Sequence, residues 1–586
     1  MNKIYLIFLA IGISAITLTS CEDMFGDFLD KDPSNELTEA QVFSNWATAE
    51  QFHFDTYAFL RHGALRIRDS WLDAASDLAQ TSYSTGGVRT SFNIGNYYGT
   101  AGMNELADTW KHYYSGIRKC NTILTRIDFV PKASDLSPEK YETDKLNYKS
   151  EARFLRAYFY WEMFLRYGPV PIVKEVLDPL GDEALNNYTT RPSLKEYVID
   201  FILEELAACE SGLMSYEDGF KSANAGRISK PMARALASRI MLYMASERFS
   251  SESGITWAEA ADASKSFIDD YGSNYFLYTN PDGKTAYTNA ILRTPYEGGN
   301  REVIFYRNGG QIGWNGISND TPVGEGGSGG LCPSQNLVDM YDMIDGSSPF
   351  TTYDETGAPV YSGATTPAIN STSAYSDEDM WSNRDPRLAA TILHHGASWG
   401  DGIINVILGQ RDNPIGNANS TPTGYYTRKY IPENILSADH TGNSYRNWIF
   451  IRYAEILLNY AEALNEAGGP SPEVYDALNE IRHRAGITGN VEDRSDLTSS
   501  KENMRKFIRK ERTVELAFEE HRTWDVRRWN VAVEALSRDI YGIDVNSNGT
   551  ISRKVAQNRV FEQRMYLYPI PESEIWITGM QNNAGW

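Results

Sequence analysis

The residues that most invite a chemical reading are Glu511, Arg512, Arg522 and Arg528, crowded near the C-terminus. Paired carboxylates are what glycosidases use, one as acid and the other as base or nucleophile. The same residue types also suit a structural task. Buried carboxylates need guanidinium partners, and an Arg–carboxylate network locks helices together without any reaction. Glu511 shares a predicted helical stripe with Phe507, Val514 and Phe518, which argues for burial and so for the structural task. Glu455 and Glu462, on one predicted helix, read the same way. Gly326-Gly327-Ser328-Gly329-Gly330 satisfies the GxSxG pattern, but a nucleophile elbow needs a strand before it and a helix after it. Turn chemistry at Asn319 to Pro322 precedes this run and Pro333 follows it, so a flexible loop is expected. It also lacks the lysine of a phosphate loop. His394-His395 is the one histidine pair, with no HExxH spacing. No metal site, cofactor or catalytic residue is expected, although the loop carboxylates Asp342 and Asp345 remain open to a structural cation. Cys120, Cys209 and Cys332 form no CxxC pair; at most one disulfide is possible, and buried free thiols fit better.

Elements must position these groups. The 586 residues carry 77 acidic against 55 basic side chains, a net charge of −22, which argues against a nucleic-acid partner. Apolar residues at three- and four-residue steps predict helices over 110–128, 151–167, 194–213 and 231–249. From 271 to 444 Gly, Asn, Ser, Thr and Pro become frequent, and loops with short strands are expected. Helical periodicity returns over 449–468, 472–486 and 501–522, suggesting tetratricopeptide-like hairpins. The first residues are different. An apolar run from Ile4 to Leu18 is too short to span a bilayer as a helix, which takes ~20 residues, and Leu18-Thr19-Ser20-Cys21 follows it. This looks like a bacterial lipobox with Cys21 as the acylated residue; the alternative is a simple secretory signal with an incidental cysteine. Glu22 and Asp23 resemble the acidic signal that sends such lipoproteins to the outer face of the outer membrane.

Several motifs carry a family resemblance. The segment from Ile451 to Ala463 (IRYAEILLNYAEA) resembles the hallmark of the SusD/RagB family of outer-membrane nutrient-uptake lipoproteins. Ile481 to Gly486 resembles its IRxRAG turn, and Glu511 to Trp529 its ERxxELAFExxRxWDxRRW stretch. Arg384-Asp385-Pro386-Arg387, Gly424-Tyr425-Tyr426 with Arg428-Lys429, Tyr568-Pro569-Ile570-Pro571 and Gln581-Asn582 match as well. So do Glu151 to Ala157 and Tyr167-Gly168-Pro169-Val170-Pro171. The resemblance implies a mainly α fold of tetratricopeptide-like hairpins packed against a loop-rich portion with short strands. It divides the chain into a signal (1–20), an N-terminal helical part (21–270), an irregular part (271–445) and a C-terminal helical part (446–586), all of one body. It also implies a glycan-binding protein, not an enzyme, anchored by lipid to the cell exterior and passing oligosaccharide to a SusC-like TonB-dependent transporter. A peptide-binding lipoprotein of the same uptake system and a glycoside hydrolase are the alternatives.

A glycan site needs an aromatic platform and planar hydrogen-bonding side chains. The 36 Tyr, 23 Phe and 13 Trp make two loop regions candidates. The first, 71–98, offers Trp71, Asp73, Asp77, Tyr83, Arg89, Asn93, Tyr97 and Tyr98. The second, 307–319, holds Trp314 between Gly313 and Asn315. Trp314 reads either as a stacking platform with few core contacts or as a packed residue. Trp71, followed by Leu72, Ala75 and Leu78, reads more readily as core.

Overall fold

A computed structural model describes residues 37–586 except 68–69, 84–86, 100–107, 179–186, 364, 401 and 436–441. Cys21, Glu22 and Asp23 lie outside the described residues. The chain is mainly helical, and its longer helices follow the apolar stripes and their punctuation. They are Thr109–Arg126 (α1), Pro138–Tyr167 (α2), Lys230–Ala245 (α3), Trp257–Tyr271 (α4), Tyr453–Gly468 (α5), Pro472–Arg484 (α6), Lys501–Glu515 (α7) and Arg522–Arg528 (α8). α2 shows the local logic. The Ser137 hydroxyl accepts the Lys140 N–H, Pro138 stands at the first position, and Gly168 ends the helix at φ 71. It starts earlier than the 151–167 stripe predicts because its first turns are mostly polar and carry no apolar stripe. α1 packs on α2, α3 on α4, α4 on α5, and α5 on both α6 and α7.

Other predicted helices change as well. The 449–468 helix begins at Tyr453, because Trp448–Arg452 is buried at every position and forms a strand. The 501–522 helix stops at Glu515, and Phe518 and Glu520 then take left-handed backbone, φ 63 and 64. The 194–213 segment starts with π-type geometry over Lys195–Leu203 before Glu204–Glu210 continues as α-helix. The irregular portion contains one ten-residue helix, Gly283–Leu292, and short strands.

The strands that matter for the site are Ala79–Thr81 (β1), Val303–Arg307 (β2), Gln311–Ile312 (β3), Leu331–Pro333 (β4), Ser444–Tyr445 (β5) and Trp448–Arg452 (β6). They pair antiparallel as β1–β4, β2–β6 and β3–β5. A contiguous apolar core runs from Phe43 to Met580 and includes the buried Trp71, Trp161, Trp399 and Trp448. Among the described residues no helix is long and apolar enough to cross a membrane.

Candidate functional site

The carboxylates that suggested acid–base chemistry are partners of arginines. Glu515 accepts from Arg387 at 2.8 Å, from Arg452 at 2.5 Å and from Arg484. Glu511 accepts from Arg387 at 2.6 Å and Arg482 at 2.9 Å. Glu519 meets Arg452 at 2.8 Å and Lys429 at 2.7 Å. With Glu302, Asp385, Asp342 and Lys510, six cations meet six carboxylates, all of them buried. Despite burial, the surrounding guanidinium groups hold the Glu515 carboxyl well below the ordinary carboxylate range. Lys429, desolvated by burial, is pushed down to about 8. A second cluster joins Glu462 to Arg528 at 2.6 Å and Asp525 to Arg512 at 2.9 Å. Against burial, Arg528 brings Glu462 down to about 2. The left-handed turn at Phe518 and Glu520 aims consecutive carboxylates apart. Glu519 faces Lys429 and Arg452, while Glu520 meets Arg66 at 2.7 Å.

Other motifs resolve as structure too. Ser328 sits between a 3₁₀ turn, Val323–Glu325, and strand β4, the reverse of an elbow's order. Its glycines are wedged, not flexible. Gly326, Gly329 and Gly330 have φ 84, 75 and 46, and a Cβ on Gly327 would lie 2.2 Å from the Thr321 carbonyl oxygen. Asp342 is bonded to Lys510 and Arg482 and Asp345 to Ser347; no group able to hold a metal occurs among the described residues. His394 stacks on Trp381 at 4.4 Å. Cys120, Cys209 and Cys332 are free and buried.

The two candidate loops do meet. Pairing of β1 with β4, Gln80 opposite Cys332, carries the chain after Thr81 onto the glycine-rich segment. Ser82 N–H donates to the Gly330 carbonyl and its hydroxyl to that of Ser328. Tyr83 then reaches the Asn319 carbonyl at 3.4 Å, and Arg89 donates to the Ser82 carbonyl at 3.3 Å. Trp314 opens the short 3₁₀ turn Trp314–Gly316 after β3. Its benzenoid edge lies 3.9 Å from where a Gly326 Cβ would stand. The indole is half-buried and also adjoins the core, so it has more packing than its glycine-flanked position predicts. Tyr83 and Arg89 are likewise half-buried.

The remaining candidates fall elsewhere. Asp77 is fully enclosed, paired with Arg522 at 2.7 Å, so it is scaffold. Trp71 is buried, its indole N–H donating to Asp320 at 2.8 Å. Asn93 is buried and donates to the Ala74 carbonyl and Gln80. Tyr97 is buried against Phe92 and Trp586. Those four do not present their side chains to solvent. Tyr98 is 61% exposed, but its neighbour Gly99 contacts Ile570 and Glu572, among the C-terminal residues. Sequence reasoning also missed a cleft of about 890 Å³ between the 345–353 loop and α7. Its charged members largely pair among themselves or with neighbours: Arg494 with Asp496 at 2.8 Å, Lys506 with Glu355 at 3.0 Å. Only the non-local packing of the irregular portion creates that cleft, so no local signal foretold it.

Comparison with known proteins adds the following. A model described as the SusD family matches residues 288–586. One described as starch-binding associating with outer membrane matches residues 27–242. SusD-like protein P38 of Formosa agariphila is 23% identical over 543 residues, covering 91% of this chain and 92% of that protein. A SusD-like protein from Bacteroides fragilis superposes with a TM-score of 0.74 at 28% identity, covering 95% of this chain and all of that one. A SusD-like carbohydrate binding protein from the same species gives 0.71 at 24% identity, with 92% and 99% covered.

Proposed function

The chain belongs to the SusD family, and from that premise we propose that it binds oligosaccharide without chemical conversion. The surface formed by Trp314, Tyr83 and Arg89 is the assigned platform, and the cargo passes from it to a SusC-like TonB-dependent transporter. Attachment through acylated Cys21, on the outer face of the outer membrane, completes this reading. The observation that carries it is the β1–β4 pairing, which leads to Tyr83 reaching Asn319 in the segment bearing Trp314, with Arg89 donating back to the Ser82 carbonyl. An indole with a tyrosine and a guanidinium nearby can stack on the apolar face of a sugar ring and bond its hydroxyls. Glu511 and Glu462, the carboxylates that the sequence offered for acid–base work, are sequestered in ion pairs.

Titration calorimetry with an oligosaccharide panel tests the proposal, comparing wild type with Trp314→Ala. Losing the ring's stacking and buried area should weaken binding by ~2–3 kcal/mol, about 30- to 150-fold. Because the indole also touches the core, stability should fall by ~1–2 kcal/mol, less than the ~3–5 kcal/mol typical of a fully buried Trp. Unchanged affinity in the variant would remove Trp314 from the site. Released reducing ends on incubation with the panel would overturn binding without conversion.

A further inference from the structure

A second concavity lies where β2 ends, on the segment that leads through the Gly309-Gly310 turn to Trp314. It encloses about 310 Å³ and is lined by Phe54, Tyr57, Arg227, Tyr306, Arg307 and Asn308, with aliphatic residues and a glycine between them. That volume is at the low end for ligand pockets, ~300–1,000 Å³, and suits a single ring with its substituents. Phe54 is 38% exposed, and the Arg227 guanidinium lies 5.3 Å from its ring centre. No carboxylate lines the cleft, in a chain where acids outnumber bases by 77 to 55. The carboxylate behind it, Glu151, is already engaged by His53 at 2.8 Å, Tyr57 at 2.7 Å and Arg227 at 2.5 Å.

Arg307 is the unusual member. Its backbone is fixed by pairing with Trp448 in β6, yet its half-buried guanidinium has no ion-pair partner among the described residues. Neighbouring arginines do: Arg66 meets Glu520 at 2.7 Å and Arg446 meets Asp320 at 2.6 Å. Burial and then the nearby Arg66 charge both lower the Arg307 pKa, so an incoming anion would relieve an uncompensated charge. A neutral sugar would leave that cost in place. The net charge of −22 gives no long-range attraction for anions, so any preference for one must come from this local group.

We propose that this cleft takes the anionic substituent of an acidic sugar residue, a carboxylate or a sulfate ester, with the Arg307 guanidinium on the charge and Phe54 against the ring. The proposal rests on the saccharide reading for the nature of the ring and on Arg307 for its charge. The test is calorimetry on the whole protein with three trisaccharides matched in length: one neutral, one carrying a uronic acid, one carrying a sulfate ester. At least one acidic ligand should bind about 10- to 100-fold tighter than the neutral one, as expected for charge-assisted hydrogen bonds, and that ligand identifies the anion. Arg307→Gln should erase the advantage and Arg307→Lys should keep part of it. Trp314→Ala should lower all affinities and leave their ratio intact. Should Arg307→Gln fail to fold, Phe54→Ala, a truncation at an exposed ring, should lower acidic binding selectively. Neutral and acidic ligands binding equally, or an advantage that survives Arg307→Gln, would overturn the assignment while the saccharide reading stands. Silence towards all three ligands would sink both.

Discussion

The buried ion network and the Trp314–Tyr83 surface are built from similar residue types and behave in opposite ways. In the network, Arg387, Arg452 and Arg484 reach Glu515 from three separate segments, and every carboxylate is matched by a guanidinium or ammonium. At the surface, Tyr83 reaches the Asn319 carbonyl at 3.4 Å and Arg89 the Ser82 carbonyl at 3.3 Å, long contacts at half-buried positions. A charge whose partner is supplied by the fold holds helices together. A polar group held by long contacts at a half-buried position is more readily available to a ligand. Residue type alone does not separate the two cases, as Asp77 shows: it was a candidate for the second class, and Arg522 places it in the first.

The sharpest way to break this contrast is to remove the hub of the network. Glu515→Ala would leave Arg387, Arg452 and Arg484 buried with an uncompensated charge among them. Loss of one partner of a buried pair costs ~3–5 kcal/mol. A denaturant melt should therefore show a loss of that order or failure to fold, the largest effect expected from a single polar change. A variant that melts like wild type would mean that the network is not what holds α6, α7 and β6 together.

A smaller effect separates paired from unpaired carboxylates inside the core. Asp73 is buried with only a 3.3 Å bond from the Glu520 N–H on one oxygen. Burial, reinforced by the Glu520 charge, raises its pKa to about 7. The folded state therefore holds a proton that the unfolded chain, at ~4, has released. The stabilisation is complete below ~4 and lost as pH rises through about 7, with a slope of at most ~1.4 kcal/mol per pH unit. Glu462, held at about 2, has the opposite sign: its contribution is present above the unfolded value of ~4.3 and lost as pH falls towards 2. Stability measured from pH 4 to 8 should decline for wild type and flatten in Asp73→Asn. Parallel curves would show that Asp73 is not the titrating group.

Much of the network was legible in the sequence, because its members sit in short recognisable runs and its helices follow clear stripes. Glu511 beside Phe507 and Val514 announces a buried carboxylate, but its partners are Arg387 and Arg482 from distant segments, not the nearby Arg512, Arg522 and Arg528, which pair with Asp525, Asp77 and Glu462. The stop at Glu515 was not legible. Phe518 and Glu520 adopt left-handed backbone that neither residue type favours, at a turn where Glu519 and Glu520 pair with distant segments. The surface was half legible. Aromatic and polar composition pointed to both loops, but composition could not tell Asn93 and Tyr97, which turn inward, from Tyr83, which does not. The inward turns rest on tertiary contacts, Asn93 on Gln80 and Ala74 and Tyr97 on Phe92, Tyr568 and the C-terminal Trp586. The Arg307 cleft depends on β2 lying against β6 and on Phe54 from a remote helix, so no local pattern foretold it.

The mildest test sharpens the surface side of the contrast. If the Tyr83 hydroxyl is held for a ligand and not for the fold, Tyr83→Phe should leave stability within ~0.5 kcal/mol of wild type. Its contact with the Asn319 carbonyl, at 3.4 Å, is long for an O–H donor, which bonds best at ~2.7–2.8 Å, so that bond contributes little to folding. Oligosaccharide affinity should nonetheless fall by ~0.5–1.5 kcal/mol, the net worth of one hydrogen bond, or about 2- to 12-fold. Tyr83→Ala, which also removes the ring, should cost more if the ring itself contacts sugar. Equal losses in the two variants would assign the contribution to the hydroxyl, and unchanged affinity in both would confine the platform to Trp314 and Arg89.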